Sequence, residues 1–157
     1  MDGNDSLTAL APNVFVRASY LNASAGVDVN LETGTASSIN ANDAGIGIDT
    51  LSGVDSVRGS DFDDVIVGRI STSECDQIRP RAVNDTVDGG GGLFDEIRYS
   101  STSNDVIVDL GVDNQTTSVT TGSDGFGGTD TLINFERIRS GGGNDQLSGD
   151  INDNRLR

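Results

Sequence analysis

The sequence predicts an all-β chain wound as a parallel β-roll or β-helix solenoid, and three observations carry that expectation. The first is a short mark, an acid or amide followed two places later by an apolar residue. Asp55 to Asp64, Asp76 to Asp85, Glu136 to Asp145 and Asp145 to Asn154 are each nine residues apart, and Asp85 to Asp95 is ten. The apolar partners are Val57, Ile66, Ile78, Val87, Ile97, Ile138, Leu147 and Leu156. A nine-residue mark is the half-turn of a coil in which two short strands and two loops complete about eighteen residues. The second observation is a longer self-similarity. Val27-Asp-Val-Asn-Leu31 matches Val106-Ile-Val-Asp-Leu110 at an offset of 79, and Asp49-Thr-Leu51 matches Asp130-Thr-Leu132 at 81. Repetition of this kind signals stacked units. The third is the lack of any window with apolar residues at helical spacing, since glycine interrupts every candidate.

Taken in order, Val14 to Tyr20 alternates and reads as a strand. Gly26 to Gly34 and Asn104 to Gly111 alternate as well, with apolar residues on one face. Between Thr33 and Ile48, and between Val112 and Gly128, lie polar segments rich in Gly, Ser, Thr, Asn and Asp. They read as loops at equivalent places, bulging from one edge, and loops longer than ~12 residues are usually functional or disordered. Thr116 to Thr121 is a single threonine cluster rather than the regular rows of an ice-binding face. Val54 to Arg58 matches Phe135 to Arg139, and Asp64 matches Asp145. The chain therefore divides into two copies, residues 1–79 and 80–157, within one continuous array, with an irregular junction from Arg69 to Arg81.

Composition narrows the function. Net charge is −15, from 25 acids and 10 bases. All the bases are Arg, and 21 of the acids are Asp. Asp favours turns and hard-metal sites where Glu would suit helices. With no basic stripe legible along the chain, nucleic acid is an unexpected partner. No apolar run approaches the ~20 residues that span a membrane. The start, Met1-Asp-Gly-Asn-Asp5, does not read as a signal peptide. Without His or Lys, a zinc-protease motif, a Ser–His–Asp triad, a P-loop and a Schiff base are excluded. No enzyme is expected.

Two turns come close to the unit G-G-x-G-x-D-x-U-x, with U apolar: Ser140 to Asp145 and Asp88 to Asp95. Together with Asp49 to Gly68, Asp130 to Asp150 and the tail Gly149 to Leu156, they resemble the linking units of RTX (haemolysin-type calcium-binding) proteins. The resemblance implies a right-handed parallel β-roll, Ca²⁺ in the turns, and export to the exterior or cell surface of a Gram-negative bacterium by type I secretion. It also implies ligands on stacked turns: Asp64 with Asp85, Asp76 with Asp95, Glu136 with Asn154, and Asp145. Carbonyls of the turns carrying Gly89, Gly91, Gly141 and Gly143 would complete them. Stacked carboxylates repel one another at ~5 Å spacing, so folding is expected to couple to Ca²⁺. Turns poor in glycine are expected to be held instead by Arg–Asp pairs, with Arg58 and Arg139 as candidates.

The expected role is a calcium-binding module of a larger exported protein, for surface attachment or as an accessory unit. Two alternatives stand beside it: a carbohydrate-binding module of a secreted polysaccharide-active enzyme, and a spacer without ligand. A polysaccharide or cell-surface glycan is the expected partner, with Tyr20 and Tyr99 placed to stack on sugars.

Overall fold

The computed structural model describes residues 3–11, 14–40, 44–71, 75–115 and 117–157. Met1, Thr72 to Glu74 of the junction and Thr116 of the threonine cluster lie outside the described residues. The described residues form strands and turns, with no helix. The strands are β1 (Ser6–Thr8), β2 (Arg17–Ser19), β3 (Val27–Asn30), β4 (Thr35–Ser38), β5 (Ile48–Ser52), β6 (Ser56–Arg58), β7 (Val65–Val67) and β8 (Gln77–Arg79). They continue as β9 (Thr86–Asp88), β10 (Glu96–Arg98), β11 (Ile107–Asp109), β12 (Val119–Thr120), β13 (Thr131–Ile133), β14 (Arg137–Arg139), β15 (Gln146–Ser148) and β16 (Arg155–Leu156).

Successive strands pass back and forth between two sheets. One sheet runs β16-β14-β10-β8-β6-β2, and every pairing in it is parallel. The other runs β1-β5-β4-β3-β7-β9-β13-β12. There β3-β7-β9-β13 is parallel, while β4 and β12 are antiparallel to their neighbours. The parallel pair β11-β15 carries the second sheet on, because Ile107 bridges Ser123 just beyond β12. The strand order β1-β5-β4-β3-β7 thus reappears as β9-β13-β12-β11-β15.

The two polar segments expected as loops differ from that reading. Each folds into the sheet as an added antiparallel strand, β4 or β12. Small polar side chains suffice there, because Ala36 supplies the inward contact in β4 and a ladder strand needs mainly backbone pairing.

The core explains the nine-residue mark. In a three-residue strand only the central side chain points inward. Val57, Ile78, Ile97 and Ile138 do so from the parallel sheet, and Val29, Ile66, Val87 and Leu132 from the other. All belong to one buried cluster with Tyr20, Tyr99 and Phe135. The marks at the far end are looser: Leu147 is half-buried and Leu156 is 38% exposed. Each short strand buries about one residue, so a missing methyl group is felt without global collapse. Ile97→Val is expected to cost about 0.5–1.5 kcal/mol by urea denaturation, with the slope of the transition unchanged.

Candidate functional site

The acids of the mark stand just before the strands and form two columns, one along each sheet. In each column a carboxylate accepts the backbone N–H of the residue at the same place on the neighbouring strand. In the first, the N–H of Val27 donates to Asp64 Oδ1 at 2.9 Å, that of Asp64 to Asp85 Oδ1 at 2.7 Å, and that of Asp85 to Asp130 Oδ1 at 3.0 Å. The N–H of Asp5 reaches Asp49 Oδ1, and that of Val106 reaches Asp145 Oδ1, in the same manner. In the second column the N–H of Asp76 donates to Asp95 Oδ1 at 2.8 Å, and that of Asp95 to Glu136 Oε2 at 2.9 Å. The local reason is geometric. The residue entering a short strand has an N–H that the parallel ladder does not use, and aspartate is the shortest side chain that can bring an anionic oxygen to it.

The expected pairs Asp64 with Asp85 and Asp76 with Asp95 are therefore brought together, through carboxylate and N–H. Glu136 and Asn154 are not bonded to each other. Glu136 takes its second bond from Gln115 Nε2, while the Asn154 amide holds Asp150. Asp145 is half-buried.

Asp64, Asp76, Asp85, Asp95, Asp130 and Glu136 are buried, but their second oxygens have different fates. Asp64 is held by Ser60, through both N–H and hydroxyl. Asp76 receives the Arg69 guanidinium at 2.6 Å and the Arg69 N–H on its other oxygen. Asp130 receives the Tyr99 hydroxyl at 2.7 Å. Asp85 Oδ2 and Asp95 Oδ2 are buried with no partner among the described residues, as are Asp49 Oδ2 and Asp124 Oδ2. Burial first, then the facing Asp130, pushes the Asp85 carboxyl up to about 9. Burial also pushes Asp95 up to about 7; the N–H of Asp76 and, more weakly, that of Gly92 oppose this, and the charges of Asp76 and Glu136 add to it. Asp130 rises to about 7, again chiefly through burial.

The glycines serve close approach. A Cβ on Gly89 would lie 1.9 Å from the Asn134 carbonyl oxygen, and one on Gly92 would lie 2.4 Å from Asp95 Oδ2. The second turn thus wraps directly onto the orphaned oxygen. Gly91 donates its N–H to the Arg69 carbonyl. Gly141 packs against the Thr102 carbonyl, and Gly143 adopts φ +110°.

Three expectations need correction. Tyr20 and Tyr99 are 1% and 0% exposed, so neither offers a ring face to a sugar. They pack in the core because each follows an outward-facing strand end and turns inward, where Tyr99 caps Asp130. Tyr20 faces Asp49 outside hydrogen-bond geometry, and both phenols are raised, chiefly by burial. Arg58 and Arg139 hold no turn and pair with no acid among the described residues. They lie on the outer face of the parallel sheet, and Arg69 takes the turn role instead. A basic stripe does exist, because strand register collects arginines that are far apart in sequence. The expectations also passed over Asp49, Asp124 and Asp130. Asp49-Thr-Leu51 and Asp130-Thr-Leu132 are themselves acid–x–apolar marks, and that was the available signal.

Calcium takes six to eight hard oxygen ligands. Among the described residues no three acidic, cysteine or histidine side chains converge on one point. The unpartnered oxygens of Asp85 and Asp95 fit a hard cation in place of a proton, whereas Asp64 and Asp76 are already satisfied by Ser60 and Arg69. No protein-family model matches the chain, and no characterised protein matches it significantly. No helix among the described residues is long and apolar enough to cross a membrane.

Proposed function

We propose that this chain is a right-handed parallel β-roll, a solenoid module of the RTX kind, exported as part of a larger protein and used as a rigid surface or accessory segment. In this reading Ca²⁺ is held at the Asp95 and Asp85 oxygens, with turn carbonyls and water. The observation that carries it is the pair of buried, unpartnered carboxylate oxygens of Asp85 and Asp95, in columns where Arg69 pairs with Asp76 but no guanidinium among the described residues pairs with either of them. A carboxylate in such surroundings needs a proton or a cation, and at neutral pH outside a cell Ca²⁺ is the abundant hard cation. When bound, the ion supplies charge compensation that locks turn to turn. The residues themselves set the register, through the N–H bonds of the columns.

A second reading is favoured by one observation. The Oδ1 atoms of the columns are already bonded to backbone, and Arg69 stands between acids where a cation would serve. That reading is a spacer that folds without metal. Far-UV circular dichroism decides between them. Chelator at neutral pH should leave the chain largely unfolded, and Ca²⁺, but not equal Mg²⁺, should restore the β signal. An unchanged β spectrum in chelator would establish the metal-free spacer.

A further inference from the structure

The outer face of the parallel sheet carries a charge opposite to the rest of the molecule. Its inward positions are the apolar ones described above, so the flanking residues of each strand face outward. Register aligns Arg58 with Arg79, and Arg98 with Arg139. The pairing of Ile97 with Ile78 sets Arg98 beside Arg79, and that of Ile138 with Leu156 sets Arg157 beside Arg139. Arg58, Arg79, Arg98, Arg139 and Arg157 thus form one column on adjacent strands, stepped by ~4.8 Å. The column beside it holds Arg17, Ser56, Gln77, Glu96, Arg137 and Arg155.

Glu96 is the single acid in these strands, and it is taken up by Arg98 and Arg157. Arg58, Arg79, Arg139 and Arg155 have no carboxylate partner among the described residues. Solubility does not explain this in a chain of net charge −15. Like charges stacked in register destabilise a sheet, and alternating signs would have been better for the fold alone. The Arg79 guanidinium is lowered first by burial and then by Arg17, Arg98, Arg58 and Arg139. Two aromatic rings flank the face at equivalent places in the repeat. Phe94 lies 4.7 Å from the Arg137 guanidinium, Phe15 lies 5.7 Å from that of Arg17, and both rings are about half exposed.

We propose that this face binds a linear polysaccharide bearing a carboxylate on each sugar, a chain of uronic acids laid along the arginine column. Guanidinium forks match carboxylates two bonds at a time. A uronic acid residue in an extended chain is of about the same length as the ~4.8 Å strand spacing, so the chain keeps step with the column, and the carboxylates on one side of an extended ribbon meet every second arginine. Phe15 and Phe94 provide apolar rings at the margin for sugar faces. The strip is narrow, and acidic turns such as Asp61 to Asp64 border it, which disfavours the wider and more densely charged nucleic acids. The inference rests on strand register alone and is independent of the calcium reading.

Affinity electrophoresis and calorimetry with defined polyuronate oligomers test it, at a Ca²⁺ level where circular dichroism shows the wild type folded. Polyuronate should bind, with affinity rising with oligomer length up to the span of the column and falling with salt. A neutral glucan should not bind. Arg79→Gln combined with Arg139→Gln should weaken binding at least about tenfold with an unchanged spectrum. Asp28→Asn, exposed on β3 of the other sheet, should not weaken binding. Absence of polyuronate binding at low salt, binding unaffected by the double variant, or equal or tighter binding of single-stranded DNA or anionic vesicles would each overturn the proposal.

Discussion

In metal-free buffer the module is expected to lose stability as pH rises from about 5 to about 9, and Ca²⁺ is expected to reverse that loss. The sign follows from the buried carboxyls. Asp95 and Asp130 are raised from 3.8 to about 7, and Asp85 to about 9. Well below pH 3.8, folded and unfolded chains both carry these protons, so they add no pH dependence. Above that, the folded chain keeps protons that the unfolded chain has released, so stability falls as pH climbs. The decline ends only when the folded carboxyls have ionised as well. For Asp95 the shift from 3.8 to about 7 corresponds to on the order of 4 kcal/mol once it is fully ionised. The net negative charge acts in the same direction. A cation at the same oxygens replaces the proton, so Ca²⁺ binds more tightly as pH rises and releases protons as it does so. Tm measured by circular dichroism should therefore fall with pH in chelator, dropping below the measuring temperature near neutrality, and stay nearly level in millimolar Ca²⁺. A Tm in chelator that is flat or rising over this range would show that the columns are not uncompensated.

Arg69→Ala is expected to destabilise the module by about 3–5 kcal/mol at neutral pH, the cost of leaving a buried charge without its partner. The Arg69 side chain is 14% exposed and that of Asp76 is 2%, so water screens the pair little. The guanidinium meets Asp76 Oδ1 through both Nε and Nη2 and extends to Asp55 at 3.5 Å. It therefore ties two coils together, where a surface pair would contribute little. Asp76→Asn in the Arg69→Ala background removes the stranded charge and should recover a substantial part of the loss. Asp76→Asn alone strands the arginine, which reaches solvent more easily, and should cost less than Arg69→Ala. Urea denaturation of the four proteins gives the coupling directly. A coupling near zero would mean that Arg69 is merely a solvated side chain near the turn.

Much of the strand pattern was legible because the chain repeats one instruction. A central apolar residue in a three-residue strand must face the core, so Ile78, Val87 and Ile97 announce their strands through spacing alone. The added strands β4 and β12 were not legible. Thr35-Ala-Ser-Ser38 has the composition of a loop, and only pairing with β3 and β5 makes it a strand. The pairs Asp64–Asp85 and Asp76–Asp95 were legible through the same register, whereas Glu136–Asn154 was expected by it and is not bonded. What each second oxygen meets was not. Ser60 for Asp64, Arg69 for Asp76 and Tyr99 for Asp130 come from turns and strands whose approach depends on the path of each loop. Tyr20 and Tyr99 show the same limit, since equivalence in the repeat says that two residues share a place but not whether that place is inside.

From residue order alone come the strand period, the absence of helix-forming windows and the spacing of aspartates ahead of the strands. These follow from local spacing, because a period of two or nine is a property of neighbours along the chain. The arginine column, the orphaned oxygens of Asp85 and Asp95, and the choice of Arg69 over Arg58 or Arg139 as the turn clamp were decided only by the tertiary structure. Each depends on which coil lies against which, and residues as distant as Arg58 and Arg157 become members of one row only when parallel strands fall into register.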